Sequence, residues 1–173
     1  MRARRGFRAG MLELSAILDR MLLALLALLM AGAVLNVLWQ IMSRYGLGDP
    51  SPWTDELARY LLIWFGILGS AAALGRNAHL AIDLLPKKLP RKLLLPLDVG
   101  VDLLVGSFSV GVLIFGGSRL VKMSFDLGQY SPAMGIPMGA VYVVIPIAGG
   151  LMLSYCLRSL MLRAGPGRDS SDV

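Results

Sequence analysis

Cysteine, histidine and charge are all scarce in this chain. Its 173 residues include one cysteine, Cys156, and one histidine, His79. One thiol cannot close an intrachain disulfide. One imidazole cannot complete a bis-histidine haem, and the pair leaves a Cys/His zinc site or a dithiol relay short of ligands. No metal and no cofactor are therefore expected. Charged residues make up 16% of the chain, while 56% are hydrophobic; a soluble domain carries about 25% charged residues. A chain this short cannot hide so much apolar sequence in a soluble core, so lipid must cover it.

The net charge of +6 would suggest a nucleic-acid partner in a soluble protein. Here the basic residues fall between apolar runs, which is membrane topology, and no nucleic acid is expected. Also missing is an internal repeat, and with it the inverted-repeat signature of many complete secondary transporters.

Four apolar runs remain. Met21 to Ser43 carries no charge and spans about 35 Å as a helix, enough for a bilayer core of about 30 Å. Tyr60 to Gly75 is shorter, so its helix must draw in flanking residues. That places Glu56 and Arg59 at one interface and lets Arg76 snorkel at the other. The third run, Leu103 to Ser118, is extended backwards to Leu97. The fourth, Leu127 to Leu157, is broken early by Pro132 and Pro137, which puts its helix at about Met138 to Leu157. Pro146 inside it deprives the Tyr142 carbonyl of its donor and predicts a kink. The expected fold is all-α: a single membrane domain over 1–173 with spans at about 21–43, 57–76, 97–118 and 138–157. Short amphipathic interfacial segments accompany the spans, including a lead-in over 1–20, and residues 164–173 form a disordered tail. Arg4-Arg5-Gly6-Phe7 resembles the core of a twin-arginine export signal, but Glu13 and Asp19 interrupt it before the apolar stretch, so it reads as a retained lead-in.

Lys and Arg set the orientation. The amino-terminal, middle and carboxy-terminal segments hold thirteen (5 + 5 + 3), and the other two loops hold four, Arg44, Arg59, Arg119 and Lys122. Both termini and the middle loop are thus expected in the cytoplasm. Trp39, Trp53 and Trp64 then fall near the outer interface. His79 lies across the membrane from Ser51 and Ser131, no nucleophile has a base within reach, and an enzyme is not expected.

Ser51-Pro52-Trp53-Thr54-Asp55-Glu56-Leu57-Ala58-Arg59 is the most informative stretch. Ser51 followed by Pro52 is a helix start. Asp55 and Glu56 favour the positive end of the dipole, and both are spaced to reach Arg59. Two readings stand together: a charge-paired helix start, and a polar docking surface for a partner. Asp98 and Asp102 share a face of the third span; they either complement the dipole and the basic loop or form a proton or cation site, with Asp102 the deeper. His79 and Asp83 are i,i+4 neighbours, too few for a metal. Asn36 and Gln40 share a face of the first span and are placed to hydrogen-bond another helix.

Three motifs in order carry a resemblance that composition cannot supply. Trp53-Thr54-Asp55-Glu56-Leu57-Ala58-Arg59-Tyr60 leads into Trp64-Phe65-Gly66-Ile67-Leu68-Gly69. Arg76-Asn77-Ala78-His79-Leu80-Ala81-Ile82-Asp83 follows the second span. Ser131-Pro132-Ala133-Met134-Gly135-Ile136-Pro137 precedes the fourth, with Tyr142 and Ile145-Pro146-Ile147 behind it. From about Leu12 to Leu162 the chain resembles the small membrane subunit, the DctQ type, of tripartite ATP-independent periplasmic (TRAP) transporters. The resemblance implies a bacterial inner-membrane complex importing organic acids with sodium. Its large membrane subunit would carry the substrate and ion sites, and a periplasmic binding protein would deliver the substrate. It places Trp53, Asp55, Glu56 and Arg59 at a periplasmic docking face, and Arg76, His79 and Asp83 at the cytoplasmic end of the second span. The expected role is a non-catalytic scaffold; the alternative is a small autonomous homodimeric transporter using Asp102 as its coupling acid.

Overall fold

The computed structural model describes residues 2–77 and 91–163, with side chains described for 17–76 and 99–161. His79, Asp83, most of the basic middle loop and the tail lie outside the described residues, as does the Asp98 side chain. The described elements are helices, joined near the last loop by an isolated antiparallel bridge between Tyr130 and Pro137. They are α1 (Arg2–Ile41) with a π turn at Met42–Gly46, α2 (Pro52–Asn77), α3 (Arg91–Phe108), a π-helical stretch Ser109–Gly116, α4 (Gly117–Asp126), α5 (Met138–Tyr142) and α6 (Val144–Arg163).

Four helical stretches are long and apolar enough to cross a membrane: Ile17–Gly46, Pro52–Arg76, Val99–Asp126 and Met138–Met161. The first is built from leucine and alanine, strong helix formers with little rotamer freedom to lose. The second starts on Pro52, whose fixed φ suits the first helical position and whose missing N–H would have had no partner there. The Ser51 carbonyl accepts from both the Thr54 N–H at 3.3 Å and the Thr54 hydroxyl at 2.6 Å.

The third span outruns its charge-free core. A boundary at Ser118 follows from the charges, yet the helix continues through Arg119 and Lys122 to Asp126. Both basic residues are exposed, so their stems can lie along lipid while the cations reach water, and charge does not end the helix. At 28 residues this helix is about 42 Å long. That exceeds a bilayer core of about 30 Å, which a helix accommodates by tilting or by extending past the core; its charges, Arg119, Lys122 and Asp126, are in its last turns. The fourth span is interrupted at Val143, between α5 and α6. Pro146 has no N–H to give the Tyr142 carbonyl, and the next bond, from the Ile147 N–H to the Val143 carbonyl, is stretched to 3.4 Å.

The fourth span is the hub. A third (33%) of its apolar stretch is buried within the chain, against 6% for the third span. Leu22, Leu68, Ala71, Val144 and Ala148 form the buried cluster that joins the first, second and fourth spans. On its other side the fourth span meets the third through glycine. A Cβ on Gly149 would sit 2.7 Å from the Leu113 Cβ and 3.2 Å from the Ile114 backbone nitrogen. A Cβ on Gly117 would sit 2.8 Å from Ile145 and 3.0 Å from the Pro146 ring. The π-helical stretch of the third span therefore lies against the proline-disturbed part of the fourth.

Candidate functional site

Most side-chain hydrogen bonds that join separate helices lie toward the two ends of the bundle, while the serines between them, Ser70, Ser107 and Ser109, bond within their own helices. One end carries the connections between α1 and α2 and between α4 and α5; the other carries the start of the first span and the last turns of α6.

At the loop end, the first turns of α2 bind outward in two directions. Asn36, 6% exposed, donates its amide to the Thr54 carbonyl at 2.8 Å, and one turn on Gln40 donates to the Asp55 carboxylate. The expected face of the first span thus reaches a helix, and that helix is the start of α2. Glu56 points the other way. Its carboxylate accepts from the Ser131 hydroxyl, from the Ala133 N–H at 3.2 Å and from the Met134 N–H at 3.2 Å. Within the same turn the Met134 N–H also reaches the Ser131 Oγ at 3.2 Å, and the Gly135 N–H donates to the Ser131 carbonyl at 2.9 Å. Gly135 has φ +66°, a left-handed conformation in which a side chain is strained. The turn closes through Ser131 N–H to Ile136 carbonyl at 2.9 Å and Met138 N–H to Gln129 carbonyl at 2.9 Å. Below this turn, the Tyr60 hydroxyl meets the Met138 sulfur at 3.5 Å, and the Trp64 indole donates to the Val141 carbonyl at 3.0 Å.

At the terminal end, two acids from different helices bind two hydroxyls of α6. The Tyr155 hydroxyl donates to Asp19 at 2.5 Å, and the Ser159 hydroxyl donates to Asp102 at 2.7 Å. Positions 155 and 159 are one helical turn apart, so one stretch of α6 holds both the first and the third spans. Cys156, next to Tyr155 on α6, is buried.

The residues singled out in the sequence therefore separate. Asp55 and Glu56 are spaced to pair with Arg59, but in the structure each binds elsewhere. Arg59 is exposed and hydrogen-bonds none of the described residues. The physical reason is competition: three fixed donors of a closed turn hold a carboxylate better than one flexible, hydrated guanidinium. Trp53 is 40% exposed, beside the docked pair but not bonded to it. Trp64, grouped by position with the interfacial tryptophans, instead donates into the bundle. Arg76 is exposed in the last turn of α2. Asp102 is bonded to Ser159 and is not a free acid. Among the described residues, no three histidine, cysteine or acidic side chains cluster as a metal would need. Sequence reasoning missed Asp19 with Tyr155 and Ser159 with Asp102. The signal available was two hydroxyl residues, Tyr155 and Ser159, one turn apart on a largely apolar helix.

Comparison with known proteins follows this geometry. The sequence signature of the DctQ component of tripartite ATP-independent periplasmic transporters matches residues 33–164. The chain is 33% identical over 122 residues, 67% of itself and 70% of the relative, to a sialic acid TRAP transporter small permease protein, SiaQ, of Vibrio cholerae. It is 30% identical over 146 residues, 83% of itself and 85% of the relative, to a putative TRAP transporter small permease protein of Haemophilus influenzae. It is also 30% identical over 108 residues to an isethionate TRAP transporter permease protein, DctMQ, of Oleidesulfovibrio alaskensis. That match covers 62% of this chain but 17% of the relative.

Proposed function

The chain belongs to the DctQ-component family of tripartite ATP-independent periplasmic transporters, and from that premise we propose that it is the small, non-catalytic scaffold subunit of such a transporter in a bacterial inner membrane. It works with a large membrane subunit and a periplasmic binding protein, and the complex imports an organic acid with sodium. Both termini face the cytoplasm, so the loop end described above faces the periplasm.

One observation carries this reading: four of the described acids, Asp102 among them, are spent on holding helices together. Asp19 and Asp102 bind α6, Asp55 binds the first span, and Glu56 binds the turn before α5. A coupling acid must exchange its ligand, whereas these fix helix positions at both ends of the bundle. The fusion relative supports the partner, because a stretch like this chain occupies 17% of a much longer permease protein. Relatives named for sialic acid and for isethionate support a role independent of the substrate, with specificity in the other chains.

Purification tests the assignment. The tagged chain should retain a much larger membrane protein in mild detergent and be inert alone in liposomes. Sodium- or proton-driven uptake by this chain alone would instead favour the autonomous homodimer that couples through Asp102.

A further inference from the structure

Glu56 stands on a helix, yet it is held by a loop. Its carboxylate receives one hydroxyl and two backbone donors from a segment 75 to 78 residues further along the chain. Hydrogen bonds to an ionised carboxylate are the stronger kind, and more so when their donors are already fixed. The turn that supplies them is closed on itself by its own hydrogen bonds and by Gly135. Its outward surface is nevertheless open: Tyr130 is 65% exposed, and Pro132, Ala133 and Gly135 are exposed. A connection serving only to return the chain needs no such fixation. A surface that must be met in one shape gains from it, because ordering a loop on binding costs affinity.

We infer that Glu56 is a positioning residue, a latch that presets the Ser131–Gly135 turn as a docking surface for the periplasmic binding protein. The inference rests on the scaffold reading and adds the device by which the soluble partner is recognised. The turn follows the charged last turns of the third helix, where Arg119, Lys122 and Asp126 are exposed and favour water over lipid, and so it is offered to a soluble partner rather than to a lateral membrane neighbour. Tyr130 supplies an amphipathic ring with few rotamers to lose, and Pro132 and Ala133 lose almost none. Ser131 acts twice, donating to Glu56 and accepting from the Met134 N–H, and it is 2% exposed. It therefore belongs to the latch and not to the docking face.

The test uses the assembled complex. In a background with Cys156→Ser, Met134→Cys, whose side chain is half-buried in the closed turn, is labelled by a membrane-impermeant maleimide, which reads the state of the turn. Binding of the periplasmic binding protein, purified with whatever substrate it retains, is measured on the immobilised complex without the cysteine. Glu56→Gln and Ser131→Ala should each raise the labelling rate several-fold and weaken binding about tenfold, while the yield of large subunit is unchanged. The double variant should be no worse than either single one, because both open the same latch. Faster labelling with unchanged binding overturns the docking role. Unchanged labelling overturns the latch. A fall in large-subunit yield that matches the loss of binding makes Glu56 a folding residue and overturns the inference as well. Failure of the unsubstituted chain to capture the large subunit overturns the scaffold reading and this inference with it.

Discussion

Tyr155 donates its hydroxyl to Asp19 across 136 residues of sequence, at 2.5 Å, and its ring fills the space a side chain at position 75 would need. A Cβ on Gly75 would lie 2.8 Å from the ring carbon that bears the hydroxyl. One tyrosine of the fourth span thus fixes both the first and the second spans at the terminal end.

Gly75→Ala should therefore force the ring away and break the bond to Asp19, costing about 1–3 kcal/mol as an overpacking change. Tyr155→Phe, which keeps the ring and drops the bond, should cost only about 0.6 kcal/mol, the usual value for a hydrogen bond between membrane helices. Thermal unfolding of the purified chain in detergent would rank the two, and the reverse order would mean that the bond matters more than the packing.

Neighbouring glycines of α6 should respond very differently. A Cβ on Gly149 meets the Ile114 backbone nitrogen at 3.2 Å as well as the Leu113 Cβ, whereas one on Gly150 meets nothing within 4 Å. Backbone cannot swing aside as a side-chain tip can. Gly149→Ala is expected to lower the unfolding midpoint by several degrees, and Gly150→Ala to leave it unchanged or raise it slightly through helix propensity. Equal effects would show that the third and fourth spans do not pack as closely as described.

Asn36 is buried with one half of its amide satisfied. Nδ2 donates to the Thr54 carbonyl, while Oδ1 has no partner among the described residues. Asn36→Leu loses a hydrogen bond but also removes a stranded acceptor, so its net cost should stay within about 1 kcal/mol. Asn36→Asp buries a charge or an unpaired carboxyl at the same place and should cost more than about 2 kcal/mol. Chemical unfolding in mixed micelles would compare the pair; a harmful leucine beside a tolerated aspartate would point to a polar ligand at Oδ1.

Asp102→Asn keeps an acceptor for the Ser159 hydroxyl and removes the charge. A tether survives that change and a coupling acid does not. Sodium-driven uptake by the reconstituted complex should stay within about twofold of the unsubstituted complex, the size expected for a conservative change at a satisfied site. Its abolition would revive the ion-coupling reading of this residue.

What was legible in the sequence was what a bilayer dictates locally. Runs of uncharged residues long enough to cross it showed the four spans, and Pro52 marked the start of the second. The end of the third helix was not legible, because its charge-free run stops at Ser118 while the helix continues to Asp126. Arg119 and Lys122 can snorkel, and nothing in the backbone ends the helix before Asp126. Asp55, Glu56 and Arg59 were visible as a group, but their pairing was not, since spacing along one helix says nothing of donors arriving from elsewhere.

The sequence by itself determined the fold class, the number of spans and the family, because helix length, hydropathy and short motifs are properties of neighbouring residues. Only the tertiary structure decided that Glu56 serves the Ser131 turn, that Tyr155 and Ser159 hold Asp19 and Asp102, and that the fourth span is the hub. Each of these joins residues 57 to 136 positions apart. A hydrogen bond forms with whichever donor is fixed nearest in space, and in an apolar bundle that nearness is set by packing, which no local pattern records.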